Sequence, residues 1–214
     1  AGRLTHTSVV NKYSQTLTYD DVYNNITTKS DVGSFNYSAN DKYKLEKIVP
    51  YANTIVPSKI QEVAWTDFGM VSSIKVDDRL LNFEYGVNGE KTKSTYLLAG
   101  QKIWERSYFG NYEQFDDILK DNRYKIVYIR INGMLVGANV QRYKISNNKM
   151  EETLNYSIVC DRVGSPVVVF SSTGATVARY AYDSWGHRVD PVSQQPIKDY
   201  AGVNLLPWFT HGFT

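Results

Sequence analysis

The sequence lacks most of the groups on which disulfide-bonded proteins, membrane proteins and thiol enzymes depend. Its 214 residues include a single cysteine, Cys160, so no internal disulfide can form. This cysteine alternates with apolar residues in "YSIVCDRV", which favours a thiol buried in a strand over a nucleophile. No apolar run approaches the roughly 18–20 residues that a membrane-spanning helix needs. The first residues, "AGRLTHTSVV", include neither an initiator Met nor a signal-peptide core, so we expect a processed form or a piece of a longer chain.

Charge of one sign and metal-ligand spacing are also lacking. The 24 basic and 22 acidic residues are spread along the chain and give a formal net charge of +2, which argues against a nucleic-acid partner. His6, His187 and His211 are too far apart to predict a zinc site by spacing. No nucleophile elbow, phosphate loop or dinucleotide fingerprint occurs. We therefore expect no catalytic residue, no metal and no cofactor.

The sequence is rich instead in strand and turn signals. It contains 17 tyrosines and many Val, Ile, Thr and Ser residues, which favour strands. Two strand-like runs flank Asn132-Gly133, the pair that best suits a turn with positive φ at both centres. Asn88-Gly89 predicts a second hairpin, and Ser171 to Gly174 predicts a third. The fold class we predict is all-β, with consecutive antiparallel hairpins in a curved, twisted open sheet.

One stretch shows helical spacing. In "NYEQFDDILKDN" the residues Tyr112, Phe115, Ile118 and Leu119 would share one helix face, with Asn111 as N-cap. This spacing predicts either a short helix within residues 111–122 or an irregular insertion. By contrast, the three prolines after residue 190 predict that residues 191–214 are an extended connection.

Three segments resemble one another and predict a repeated hairpin unit. They cover residues 17–37, 63–86 and 165–189, and in each an aromatic residue ends a strand before a polar or acidic turn. We interpret residues 1–214 as a single β region built from such units. The predicted repeat motif consists of Tyr19, Asp20, Trp65, Asp67, Tyr182, Asp183, Trp185 and Gly186.

Several of these motifs resemble the tyrosine-aspartate repeats of bacterial Rhs-type proteins. The resemblance rests on "YDDVYNNIT" (19–27), "GSFNYSANDKYKLEKI" (33–48), "YFGNYE" (108–113) and "DRVGSPVVVFSSTGATVARYAYDSWG" (161–186). Where the family commonly has Asp-His-Leu-Gly-Ser, this chain has Asp-Arg-Val-Gly-Ser at 161–165. The motifs are individually weak, and their order along the chain makes the set more specific.

The resemblance implies a shell wall. Proteins of this family wind a long antiparallel sheet into a hollow shell around a C-terminal toxin or other variable domain. The partner it implies is therefore the rest of the parent polypeptide, including a C-terminal cargo domain, in a secreted or cell-surface protein. The family's self-cleavage core would follow "WFTHGFT" at 208–214, so we expect this chain to be a section of wall without core or cargo. Exposed sheet edges would favour self-association.

The sequence is also compatible with two functions other than a shell wall. Asp183 and Asp190 could be the paired carboxylates of a glycosidase, which requires a separation of about 5–10 Å. An acid recurs at Asp20 and close by at Asp67, which favours a turn role instead.

The tryptophans raise the other alternative, a carbohydrate- or protein-binding β module of a surface protein. Trp65, Trp104, Trp185 and Trp208 could form an aromatic platform. Their spread over strand and turn borders favours a packing role instead.

Overall fold

The structure of the chain is a computed structural model that describes residues 2–10, 13–52, 60–195, 197 and 206–211. Within these residues the chain forms eighteen β-strands and no helix, which confirms the predicted all-β class. The strands are β1 (His6–Val9), β2 (Tyr13–Tyr19), β3 (Ile26–Lys29), β4 (Gly33–Tyr37), β5 (Leu45–Pro50), β6 (Gln61–Trp65), β7 (Val71–Val76), β8 (Arg79–Tyr85), β9 (Lys91–Leu98), β10 (Gln101–Phe109), β11 (Tyr112–Asp117), β12 (Asn122–Ile131), β13 (Met134–Lys144), β14 (Met150–Cys160), β15 (Pro166–Ser171), β16 (Thr176–Arg179), β17 (Ala181–Tyr182) and β18 (Arg188–Val189).

Sixteen of these strands form one antiparallel sheet in chain order. Each strand from β2 to β15 pairs with the strand before it and the strand after it, and β17 and β18 form a separate two-stranded sheet. The large sheet is open, because β1 and β16 each pair with one neighbour among the described strands. The open antiparallel sheet is therefore confirmed, although its second, small sheet was not foreseen.

Tight turns explain why the chain keeps folding back on itself. Asn132 and Gly133 lie between paired residues Ile131 and Met134 with φ of 52° and 82°. Both values lie in the left-handed region, which matches the right-handed twist of the flanking strands. A second turn of this kind joins β9 to β10, with Ala99 at φ 49°. A sequence search for Asn-Gly pairs does not find it.

Residues 111–122 form neither the short helix nor the irregular insertion that their spacing predicts. Residues Tyr112–Asp117 form β11, and a turn follows. Burial alternates along this strand, with Glu113, Phe115 and Asp117 buried. The apparent helical spacing came from counting only apolar residues, and the two buried acids at alternate positions carry the period-2 signal.

The core lies on one face of the second half of the sheet. Residues that pair directly across neighbouring strands lie on the same face of a sheet, and several core residues are paired in this way, such as Ile126 with Val140 and Val169 with Ala178. The buried members are Phe115, Ile126, Tyr128, Leu135, Ala138, Val140, Ile158, Val169, Ala178 and Tyr180. We call this side of the sheet the buried face.

Irregular pairing bends the sheet. The register shifts in all four consecutive pairings from β12–β13 to β15–β16 and in five pairings earlier in the sheet; examples are the shifts between Ile129 and Arg130 and between Val159 and Cys160. Such bulges bend a strand and increase its twist. Gly137, opposite Ser157 in β14, permits a close approach, because a Cβ there would lie 2.8 Å from the Tyr156 carbonyl oxygen.

The three predicted repeat units occupy different numbers of strands. Residues 17–37 and 63–86 each run through three strands, whereas residues 165–189 run through β15 to β18 and change sheet. The repeat boundaries stay a prediction. Among the described residues, no helix offers the length and apolar character needed to cross a membrane.

Candidate functional site

Asp161 and Asp183 anchor two turns of the same construction. Asp161 Oδ1 accepts hydrogen bonds from the backbone N–H of Val163 and Ser165, both at 2.9 Å. Asp183 Oδ1 accepts from the N–H of Trp185 at 2.8 Å and of His187 at 2.9 Å. In both turns a glycine with positive φ occupies the fourth position. Each carboxylate thus satisfies two N–H groups that the strand ladder leaves unpaired.

Three further turns have the same backbone hydrogen bonds with other first residues. They begin at Thr66, Gly86 and Ser171, and each has glycine at its fourth position. Thr66 Oγ1 accepts from the Met70 N–H at 3.0 Å. A Cβ added to Gly86 would lie 2.3 Å from Glu90 Oε1, so the Glu90 carboxylate fills the space that an aspartate would use there.

The predicted repeat acids therefore differ in position. Asp67 follows Thr66, so it is the second residue of its turn and Thr66 is the structural counterpart of Asp183. Asp20 anchors a longer turn that closes at Asn25, whose N–H donates to Asp20 Oδ2 at 2.9 Å. Backbone N–H groups, led by that of Tyr23, lower the pKa of Asp20.

The other predicted motif residues are distributed over the sheet. The Tyr19 hydroxyl donates to the Leu4 carbonyl at 2.9 Å, and the Trp65 indole donates to the Leu45 carbonyl at 2.7 Å. Tyr182 lies in β17. The other predicted residues lie in the turns that begin at Gly86, Ser171 and Asp183: Asn88, Gly89, Gly174, Trp185 and Gly186.

A buried polar cluster joins the first strands to the last turn. Gln15, on β2, is 1% exposed, and its Nε2 donates to Asp31 Oδ2 at 2.7 Å and to Asp183 Oδ2 at 2.8 Å. Lys29 Nζ lies 2.9 Å from Asp31 Oδ1. We call Gln15, Lys29, Asp31, Asp183 and His187 the clasp. Burial lowers the pKa of His187 and nearby Lys29 lowers it further, whereas Asp183 and Asp31 oppose this shift.

The clasp bears directly on the glycosidase alternative. The pair that the sequence suggested was Asp183 and Asp190. The acid nearest to Asp183 in the clasp is Asp31, because the Gln15 amide donates to both carboxylates. The amide that lies between the two carboxylates, however, is itself buried and donates to both. Asp183 is 4% exposed and its two oxygens already accept three hydrogen bonds. No three His, Cys, Asp or Glu side chains in the described part of the chain could hold a metal.

A second cluster holds residues 206–211, which we call the C-terminal segment, on the buried face. Trp208 and Phe209 are 2% and 4% exposed. The Trp208 ring lies 4.9 Å from that of Tyr156, and the Phe209 ring lies 5.5 Å from that of Tyr180. We call the receiving surface, formed by Arg106, Tyr128, Tyr156, Tyr180 and Arg188, the aromatic hollow.

Arg106 links this hollow to the backbone of the segment. Its Nη1 donates to Glu113 Oε2 at 2.7 Å and to the Trp208 carbonyl at 2.9 Å. Its guanidinium carbon lies 4.4 Å from the centre of the Phe115 ring. An arginine that is 2% exposed needs such partners, because an unpaired buried charge is very costly.

His211 lies at the far end of the segment. Its Nε2 is 3.0 Å from Arg130 Nη2, so the neutral ring accepts that hydrogen bond. Burial, followed by Arg130 and Arg106, lowers the pKa of His211 to about 4. Burial also raises the pKa of Tyr180 to about 12. The hollow therefore favours neutral rings between fixed guanidinium groups.

Neither cluster follows from a sequence motif. Four of their members were missed, because a single polar residue on a strand or in a turn predicts a solvent-facing position: Gln15, Arg106 and Glu113 on strands and Asp31 in a turn. The one available signal was alternation, since Arg106 stands at an inward position between Trp104 and Tyr108 in "IWERSYF". Partners 102 and 168 residues away in sequence give no local pattern.

No protein-family model and no curated protein matches the sequence. Solved structures similar to the chain include a TcdB2-TccC3-Cdc42 crystal structure, with TM-score 0.49, 11% identity and coverage of 83% of this chain and 12% of that one. They also include a Tc holotoxin pore of Photorhabdus luminescens with a TccC3 mutation, with TM-score 0.48, 12% identity and the same coverages. A TcdB2-TccC3 structure without its hypervariable C-terminal region matches with TM-score 0.47, 11% identity and again 83% and 12% coverage.

These neighbours are Rhs/tyrosine-aspartate repeat proteins, the family that the sequence motifs resemble. The chain spans about an eighth of the length of each neighbour.

Proposed function

We propose that this chain is a non-catalytic structural section of a shell wall, of the tyrosine-aspartate repeat type, that encloses or presents another polypeptide. The observation that carries the proposal is the shape of the sheet. Sixteen strands follow in chain order without closing, and one face buries aromatic side chains while a short segment of polypeptide already lies on it. Such a sheet can screen a polypeptide by area and shape, without reactive groups.

The clasp supports a wall that curves. Because β2 reaches the turn after β17 through Gln15 and Asp183, the sheet returns toward its own beginning. Its outer strands remain available, since β1 and β16 each pair with one described neighbour. We infer that these edges pair with adjoining wall of the parent protein, and that the isolated chain self-associates through them. A monodisperse monomer in sedimentation at about 100 μM would contradict the inference about edges.

Protection of the enclosed polypeptide tests the shell function. In the parent protein, the polypeptide that follows the wall should resist proteinase K while the wall is intact. Substituting Asp183→Asn loosens the clasp, and we expect digestion at least tenfold faster than in the unchanged parent. Asp161→Asn, in the matching turn without a clasp, is the control and should leave protection intact. Equal and rapid digestion in all three proteins would refute an enclosing role.

One observation favours the alternative of a binding module. The Tyr96 and Trp104 rings stack with centroids 5.9 Å apart, beside an open depression lined by Ile74, Val76, Arg79, Leu81, Tyr96 and Trp104. Amphipathic rings beside an open apolar surface suit a sugar ring. Binding on a glycan array that is lost with Trp104→Ala and kept with Phe68→Ala would support this function. The exposed Phe68 lies in a turn outside the depression.

A further inference from the structure

We propose that the aromatic hollow is a binding site for a Pro-Trp-Phe turn peptide, which the chain's own residues 206–211 occupy. Strands β10, β12 and β14 of the large sheet supply Arg106, Tyr128 and Tyr156, whereas Tyr180 follows β16 and Arg188 lies in β18. The segment makes no strand pairing with either sheet among the described residues. The segment is therefore held as a ligand is held, by ring packing and by hydrogen bonds to its carbonyl groups. This inference concerns the hollow alone and does not require the wall to enclose a cargo.

The shape of the bound segment is defined by its own sequence. The Phe209 N–H donates to the Leu206 carbonyl at 3.0 Å, which closes a four-residue turn. Pro207 stands at the second position of that turn, where its fixed φ is favoured. The proline therefore prepares the following two aromatic side chains to enter the hollow together, and little conformational freedom remains to be lost on docking.

The hollow recognises both rings and backbone. Tyr156 and Tyr180 flank the two aromatic side chains, and Ala138 and Ala178, which are 1% and 4% exposed, leave room among the buried residues of the same cluster. Large rings among small residues give the complementary packing that binding hot spots share.

Two arginines define the orientation of the segment. Arg106 donates to the Trp208 carbonyl at 2.9 Å, and Arg188 donates from Nη2 to the His211 carbonyl at 3.0 Å. Arg106 is itself held by Glu113, so its donor direction exists before the segment arrives. Because the two carbonyl groups they bind are three residues apart, these two donors select one chain direction and one spacing. A peptide with the same composition in another order should not satisfy both.

The charge of the site sets a further condition on the ligand. Tyr128 packs against the His211 ring at a centroid distance of 4.2 Å, and Arg130 donates to its Nε2. The rings of Tyr128 and Phe209 thus pack against this ring, and the two charged groups that act on it, Arg130 and Arg106, are both positive. A neutral acceptor is preferred at this position, so a peptide with lysine in place of the histidine should bind more weakly.

The binding test uses the full 214-residue chain with an emptied hollow. The receptor is the variant Trp208→Ala/Phe209→Ala, and the probe is a fluorescein-labelled synthetic peptide of residues 206–211, measured by anisotropy at pH 7.5. We expect saturable binding to this variant and at least tenfold weaker binding to the unchanged chain, whose hollow is occupied. A probe with alanine at both aromatic positions should bind at least tenfold more weakly. Phe109→Ala, an exposed residue, is the matched control receptor and should behave as the unchanged chain.

A second experiment covers the case in which the emptied variant fails to fold. A protease recognition sequence replaces residues 198–205 of the otherwise unchanged chain, and the chain is cut after folding. The released fragment should co-elute with the sheet in gel filtration and be displaced by excess synthetic peptide. Immediate loss of the fragment, or a folded emptied variant that does not bind the probe at 1 mM, would overturn the proposal. A dimer that the peptide splits into monomers would overturn occupancy within one chain, since it would place the segment in a second copy.

Discussion

Replacing Asp183 with asparagine tests whether the clasp stabilises the sheet beyond the turn that contains it. The new side chain keeps an oxygen for the N–H groups of Trp185 and His187, so the turn survives. Its amide nitrogen, however, replaces the oxygen that accepts from Gln15 at 2.8 Å, and two donors then face each other. A hydrogen bond to a charged group contributes about 1.5–3 kcal/mol. Loss of one buried charge beside Asp31 offsets part of this, so we expect a net loss of about 2 kcal/mol.

Asp161→Asn provides the comparison, because its turn has the same two backbone hydrogen bonds and Asp161 lies outside the clasp. We expect it to cost less than about 0.5 kcal/mol. The assay is equilibrium urea unfolding followed by tryptophan fluorescence and circular dichroism, with equal slopes required for the comparison. In a double-mutant cycle, Gln15→Leu should couple to Asp183→Asn by about 1 kcal/mol or more. Equal costs for the two asparagine variants, within 0.5 kcal/mol, would refute the reasoning.

Three further predictions concern His211, the turn at Gly86 and the close approach at Gly137. The pKa of His211 is lowered to about 4 in the folded chain, so its contribution to stability is complete above the unfolded pKa of about 6.5 and is lost as the pH falls from there toward 4. Urea unfolding at pH 7.5 and at pH 4.5 should therefore differ by about 2 kcal/mol, a value reduced for the partial exposure of the ring. The variant His211→Gln should remove this difference. In Gly86→Asp, the new carboxylate should take the position that the Glu90 carboxylate now occupies. In urea unfolding, Glu90→Ala should therefore cost about 1 kcal/mol in the unchanged chain and close to nothing in the Gly86→Asp background. Equal costs in both backgrounds would contradict the idea that this turn has the same construction as those at Asp161 and Asp183. Gly137→Ala should cost about 1–3 kcal/mol in thermal or urea unfolding, because its Cβ would meet the Tyr156 carbonyl oxygen, and an unchanged midpoint would show that β13 and β14 are further apart.

The local part of the fold was predictable because its signals are local. Asn132-Gly133 needs only two residues to specify a turn, and the flanking β-branched residues specify the strands. The same reasoning failed at β11, where apolar residues at helical spacing outweighed the buried acids Glu113 and Asp117. Those acids could be recognised as inward-facing only with a partner in view. For Glu113 that partner is Arg106, on the neighbouring strand.

The candidate site was not predictable for a related reason. In "YAYDSWGHRVDP" the turn role of Asp183 follows from its spacing to Gly186, and the structure shows that arrangement at 161–165 as well. The hydrogen bond that Gln15 donates to Asp183 joins residues that are 168 apart in sequence, and neither local sequence indicates that the other is its partner. It depends on the accumulated bend of sixteen strands, which no single hairpin contains.

That dependence explains why the tie is made by polar side chains. An open meander has no strand pairing between its beginning and its end, so the bulges of its ladder bend the sheet without tying the two ends together. Apolar contacts would tolerate several curvatures, because hydrophobic burial has little directionality. The Gln15 amide has two N–H donors in fixed directions, and its two carboxylate acceptors come from different ends of the sheet. A buried donor left without its acceptor is costly, so one curvature is favoured over its neighbours. The bulges of the ladder thus bend the sheet, and a few buried polar groups between its beginning and its end hold that bend at one value.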